Sequence, residues 1–323
     1  MRSLLTVEPA PEAVVGIAAT INLGIVVLNC WGRFALVEET LQRVHAIVLP
    51  VAAHEPVARG WRHLAHVVIE PWWHEDPWAG LQHAEAAQAS FREANHRPST
   101  LLAQLMVGMN LWFLGALEAA ERELRGVLTG GTSYGPTAPI HLFCLAGTLA
   151  DRGALEEAYE LANRTTRAWQ ARGRNEHEGP GRRVLADLLC RRGEPAAAER
   201  TARAALPLLT VHPLERMAAT ATLAAALLAQ GRAAEALAAA EEAMRQYEAL
   251  GSFGFRGAYA RLVHVEALEA TGDHASAARA LAAARDRLRI QAAKIGDLAL
   301  RRSFLEDLPE NARTLALARQ WGE

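Results

Sequence analysis

Lysine is almost missing from this chain: Lys294 is the only one, so arginine carries nearly all the basic charge. Alanine is abundant, and the two biases together read as codon usage rich in G and C rather than as chemistry. Charge of one sign is also missing. The formal net charge is −2, which offers no attractive field for nucleic acid or an anionic membrane surface. Cysteine is scarce and scattered at Cys30, Cys144 and Cys190. With no C-x-x-C pair, a zinc ribbon and a dithiol redox motif are excluded, and each cysteine reads as a small core residue in a reducing cytosol.

Catalytic signatures are absent as well. The chain holds no G-x-x-x-x-G-K-[ST], no G-x-S-x-G, no H-E-x-x-H and no H-R-D motif. Its nearest glycine-rich stretch, TGGTSYGP from Thr129 to Pro136, lacks the phosphate-neutralising lysine and joins two helical segments, as an inter-repeat loop does. The expectation is a protein that is not an enzyme, with no cofactor and no metal. One long uncharged run, Ala13 to Gly32, is of membrane-spanning length. It contains Thr20, Asn22 and Asn29 and has acidic residues, Glu8 and Glu12, before it. It therefore reads as a buried first helix, with no membrane partner.

What is present is a ladder. Gly115, Gly153, Gly193, Gly231 and Gly272 are spaced 38, 40, 38 and 41 residues apart. Each has a leucine four residues before it (Leu111, Leu149, Leu189, Leu227, Leu268) and an alanine five after (Ala120, Ala158, Ala198, Ala236, Ala277). Gly32 is a sixth rung, with Leu28 before it and Val37 in place of the alanine. A fixed period of this length marks stacked helical hairpins. Each glycine closes one helix in a left-handed turn, and the alanine lets the next helix lie close to it.

The ladder predicts an all-α right-handed superhelix of about seven hairpins, near residues 12–49, 54–96, 99–128, 137–172, 177–206, 214–250 and 255–290. In the second hairpin the loop EPWWHEDP replaces the turn glycine. Two capping helices follow, Lys294 to Leu308 and Pro309 to Trp321. The domain expectation is divergent N-terminal hairpins over 1–98, repeats over 99–290 and a cap over 291–323.

The pairs Leu145-Ala146, Leu185-Ala186 and Leu223-Ala224, followed by the turn glycine and later alanine, resemble the tetratricopeptide repeat (TPR). Val107-Gly108 matches loosely and His264-Val265 departs from it. Units of about 40 residues exceed the usual 34 of that repeat. The tail IGDLALRRSFLEDLPENARTLALARQW, residues 295–321, is similar to the end of large bacterial regulators. In those, a serine/threonine kinase domain and a signal-transduction ATPase precede a repeat array. The resemblance implies a non-catalytic interaction or sensor array in bacterial cytoplasmic signalling, as part of such a regulator or a stand-alone relative. Its partners would be a protein or peptide, including kinase or ATPase domains of the same regulator.

In TPR folds the first helix of each hairpin lines the concave groove. Counting back from the turn glycines transfers those positions to Leu102, Leu105, Met106, Met109, Trp112 and Phe113, then to Ile140, Phe143 and Cys144. Later hairpins give Arg183, Asp187 and Arg191, then Tyr259, Glu266 and Glu269. The groove thus reads apolar at one end and charged at the other, and lacks the lysine–asparagine carboxylate clamp of some family members. Two readings stay open: an open groove that receives an apolar peptide, helix or small molecule, or side chains that fill the interior themselves.

Two polar stretches are weaker candidates. His63, His66, His74, Glu75, Asp76 and His83 fall within one irregular region, but two histidines three apart plus a loop acid is a thin metal signature. RGRNEHEGPGRR, residues 172–183, reads as a solvated linker rather than a phosphate site.

Overall fold

The computed structural model describes residues 10, 13–129, 138–171, 175–251 and 256–322; the side chains of 138–140 and 175–176 lie outside that description. The glycine-rich loop before Pro136, the start of the 172–183 linker and residues 252–255 are likewise outside the described residues.

Sixteen α-helices of nine residues or more, with two single helical turns (Ile69–Trp72 and Leu206–Leu209) and no strand, make up the described residues. Seven hairpins follow one another: α1 (Val14–Cys30) with α2 (Phe34–Val48), α3 (Pro56–Val67) with α4 (Pro77–Glu93), and α5 (Arg97–Phe113) with α6 (Leu117–Thr129). Then come α7 (Ala138–Asp151) with α8 (Leu155–Gln170), α9 (Asn175–Arg191) with α10 (Pro195–Ala205), α11 (Pro213–Leu228) with α12 (Ala233–Ala249), and α13 (Gly257–Ala270) with α14 (His274–Lys294). A closing pair, α15 (Leu298–Glu306) and α16 (Pro309–Trp321), ends the array. Lys294 belongs to the end of α14, not to the cap. Asp297 sets the later start, its carboxylate accepting from the backbone N–H of Ala299 and Leu300.

The ladder has a backbone explanation. Each rung glycine is left-handed, with φ from +66° at Gly32 to +87° at Gly153. The residue after it then donates back to the carbonyl of the repeat leucine: Arg33 to Leu28, Ala116 to Leu111, Ala154 to Leu149 and Glu194 to Leu189, each at 2.9 Å. Arg232 and Asp273 do the same to Leu227 and Leu268 at 3.1 Å. This closure satisfies the last carbonyls of the first helix and aims the second one back along it. The repeat alanines, Ala120 through Ala277, have no exposed surface at all, because a neighbouring helix lies against each.

In the irregular second hairpin, a single helical turn (Ile69–Trp72) follows α3, and Glu75 takes the left-handed conformation at φ +51°. The closure appears instead after α4, where Asn95 is left-handed at φ +52° and His96 donates to the Phe91 carbonyl at 2.9 Å. Asparagine is the side chain that tolerates this region best after glycine.

The array closes on itself with a shift of five hairpins. The first hairpin's turn, Gly32, packs on Pro213 and Leu250 of the sixth. The second hairpin's loop meets the seventh, where the buried Glu75 carboxylate pairs with Arg287 at 2.5 Å and Lys294 donates to the His74 carbonyl. The third hairpin's turn, Gly115, lies against the backbone of Ser303 in the cap. Leu288, Ile295, Phe304 and Leu308 consequently share one core with the first five hairpins.

Two substitutions separate backbone strain from seam packing. A side chain at Gly153 meets nothing within 4 Å, so Gly153→Ala costs only the left-handed penalty, about 1–2 kcal/mol in urea denaturation. A Cβ on Gly115 falls 2.4 Å from the Ser303 carbonyl oxygen, so Gly115→Ala costs clearly more. Equal losses for the two would refute the seam.

Candidate functional site

First helices face inward and enclose a cavity of about 870 Å3. The first helices of the first five hairpins contribute faces at helical spacing, whereas α11 and α13 add only Glu215 and Ala258. Helix α5 offers Leu102, Met106, Met109, Trp112 and Phe113; α7 offers Phe143, Cys144, Gly147 and Asp151; α9 offers Arg183, Asp187 and Arg191. On the far side stand Arg256, before α13, and Glu310 and Asn311 of α16. Helix α1 adds Leu23 and Val26, and Trp31 follows at its C-terminal end. Leu23 and Trp31 are 53% and 50% exposed, which explains the long uncharged run: α1 is apolar toward its neighbours and also toward the cavity. No helix among the described residues is long and apolar enough to cross a membrane.

A polar rail crosses the apolar wall. Trp112 Nε1 donates to Asp151 at 2.6 Å, and Arg191 reaches the other oxygen of that carboxylate at 2.5 Å. Arg191 also faces Asp187 at 3.5 Å. Arg256 donates to Asp187 at 3.0 Å, lies 3.6 Å from Glu310 and stacks 4.2 Å over the Tyr259 ring. Arg183 pairs with Glu215 beside this chain. Burial alone would push the Asp187 carboxyl up, but Arg256, Arg191 and Arg183 outweigh it and hold it below the ordinary aspartate value. Trp112 is held on its other side by Gly147, where a Cβ would sit 2.3 Å from the indole. Burial lifts the thiols of Cys30, Cys144 and Cys190 to about 12, so none supplies a thiolate nucleophile at neutral pH.

Ten of the sequence-selected groove residues line this cavity: Leu102, Met106, Met109, Trp112, Phe113, Phe143, Cys144, Arg183, Asp187 and Arg191. Leu105 does not; it is 1% exposed and packs inside the hairpin core. The Ile140 side chain lies outside the described residues. Tyr259 sits beneath Arg256, while Glu266 pairs with Arg313 and Glu269 with His274, away from the cavity. Sequence reasoning missed Asp151, Glu215, Arg256 and Glu310. Asp151 was within reach, since it stands two residues before its turn glycine, as Phe113 and Arg191 do. Arg256 and Glu310 were not, because only the closure brings them round.

The histidine-rich region divides. His63 and His66 of α3 meet His83 of α4: the Nδ1 atoms of His63 and His83 are 3.0 Å apart, and the His66 and His83 rings stack at 4.4 Å. His45 of α2 joins through its Nε2, 2.8 Å from His66 Nε2. Glu70 accepts at one oxygen from His66 and at the other from His74. Burial and the neighbouring positive groups hold His63 and His83 down at about 4. Burial opposes ionisation of Glu70, but its hydrogen bonds from His66 and His74 prevail and bring it to about 2. Glu75 and Asp76 leave this group, the first for Arg287 and the second to cap α4 through the Ala79 N–H.

No protein-family model matches the chain, and no curated protein matches it. Solved structures do. A Rap protein complexed with Competence and Sporulation Factor aligns at TM-score 0.64 and 13% identity, covering 99% of this chain and 91% of that one. The Rap conjugation gene regulator of plasmid pLS20, in complex with the Phr* peptide, aligns at 0.63 and 11%, covering 98% and 99%. The apo form of RapI aligns at 0.54 and 12%, covering 99% and 89%. The chain therefore has the fold of the Rap proteins, which are TPR-repeat helical proteins.

The rail makes a pH-dependent prediction. A carboxyl held below its unfolded value contributes stability above that value, and loses it as pH falls through the folded one. Asp187→Asn leaves Arg191 and Arg256 short of a buried counter-charge and is expected to cost about 3 kcal/mol at pH 7. The gap to the parent protein narrows in acid, as the parent's own carboxyl protonates. Urea midpoints at pH 7 and below pH 4 check this; a pH-independent gap would refute it.

Proposed function

We propose that the chain is a non-catalytic receptor whose helical array closes around a short peptide. The carrying observation is the 870 Å3 cavity, built by the first-helix faces and walled by both an apolar stripe and an ion-pair rail. Its size falls in the range of ligand pockets, and its composition suits a peptide with apolar anchors and a few polar contacts. Two of the aligned structures carry bound factors, one of them named as a peptide, which supports the same reading for this cavity.

The physical mechanism is a population shift. A peptide bridging α1 and α5 on one side and the Asp187–Arg256–Glu310 contacts on the other binds best at one curvature of the array. It therefore biases that curvature, and the outer surface reads it out to a partner protein. The similarity of the tail extends the proposal to kinase or ATPase domains as the effectors, in the cytoplasm.

A defined library of synthetic penta- to heptapeptides, screened against the purified chain by native mass spectrometry, tests this. Bound peptides should lose about tenfold or more in affinity with Trp112→Ala or Phe143→Ala, a hot-spot loss of 1–2 kcal/mol, while far-ultraviolet circular dichroism stays unchanged. A library without a specific binder, or binders indifferent to both substitutions, would defeat the proposal.

A further inference from the structure

Outside the cavity, α2, α3, the helical turn after α3 and α4 bring four imidazoles and one carboxylate into a single half-buried group. We propose that His66, Glu70 and His83 form a three-ligand site for a divalent transition cation of the zinc class, with His45 and His63 orienting the two imidazoles. One ligand atom from each of the three lies within 4.8 Å of the others. None of the five residues lines the cavity, so the site is independent of the peptide proposal.

The hydrogen bonds assign the atoms. His66 Nδ1 and Glu70 Oε1 are 3.2 Å apart, which is about the separation of two ligands on one tetrahedral ion with bonds of about 2.0–2.1 Å. The cation takes the place of the proton they share. His66 Nε2 is then the protonated nitrogen and donates to His45 Nε2, 2.8 Å away. On His83 the Nδ1 meets His63 at 3.0 Å, leaving Nε2 as the ligand. Each coordinating imidazole thus has its second nitrogen fixed by another histidine, the outer arrangement that metal-bound imidazoles require. The second oxygen of Glu70 is anchored by His74 at 2.8 Å.

The ligand chemistry narrows the ion. Imidazole and carboxylate without thiolate suit zinc, cobalt, nickel and copper rather than calcium or magnesium. His66 and Glu70 are 16% and 15% exposed at their side chains, which gives an ion a path in and a water a fourth position. Because the ligands come from α3, the turn after it and α4, the ion would clamp the two helices of the second hairpin, with the first hairpin tied in through the His45–His66 hydrogen bond.

The test uses the full chain without an affinity tag, freed of metal by a chelator and titrated with Co2+ and then Zn2+. The expected result is one Co2+ per chain with the visible absorption of a four-coordinate site, displacement by one Zn2+, and a rise in melting temperature that the chelator reverses. His83→Asn and Glu70→Gln should each weaken binding at least tenfold with unchanged helicity. His45→Gln should weaken it about tenfold through the outer ring. His274→Ala, a distant exposed histidine, should change nothing. The proposal is overturned if Co2+ gives no stoichiometric spectrum, or if binding survives both His83→Asn and Glu70→Gln.

Discussion

One hydrogen bond, repeated, governs the molecule: the N–H that follows each of the six rung glycines donates to the carbonyl five residues earlier. It fixes where a first helix stops and where its partner begins. It thereby fixes which face of that first helix turns inward. Counting from that bond, residues at minus three, minus six and minus nine from Gly115 (Trp112, Met109 and Met106) fall on one wall. The cavity wall is thus a by-product of turn geometry.

Closure converts a row of such walls into an enclosure. A repeat array with free ends has stability that is nearly a sum over neighbours. Here hairpins one, two and three also contact hairpins six, seven and the cap. The Asp151–Arg191–Asp187–Arg256–Glu310 rail adds a further tie, from the fourth and fifth hairpins to the seventh and the cap. A change in curvature must therefore disturb the rail, which places the most electrostatically constrained residues where a ligand would act.

The fold was legible because its signals are local. Leu-x-x-x-Gly and the later alanine encode turn and packing within one hairpin, so every boundary came within a few residues. Most of the inward face was legible for the same reason, as it is counted from the turn. Leu105 failed because a groove position and a core position differ by one residue on a helix. Arg256 and Glu310 escaped for a deeper reason: Arg256 is far in sequence from both of its partners, Asp187 and Glu310, and no periodicity reports a closure. The irregular second hairpin hid its logic too, since Glu75 and Asn95 adopt turns that glycine usually marks.

The bond from Lys294 to the His74 carbonyl spans 220 positions of chain. Contacts within a hairpin span about 40 or fewer and close cheaply, whereas the entropy of loop closure rises with the length enclosed. Hairpins can therefore assemble early and in parallel, and the seam comes last. The cavity does not exist until that final step, so its formation and the completion of folding are the same event.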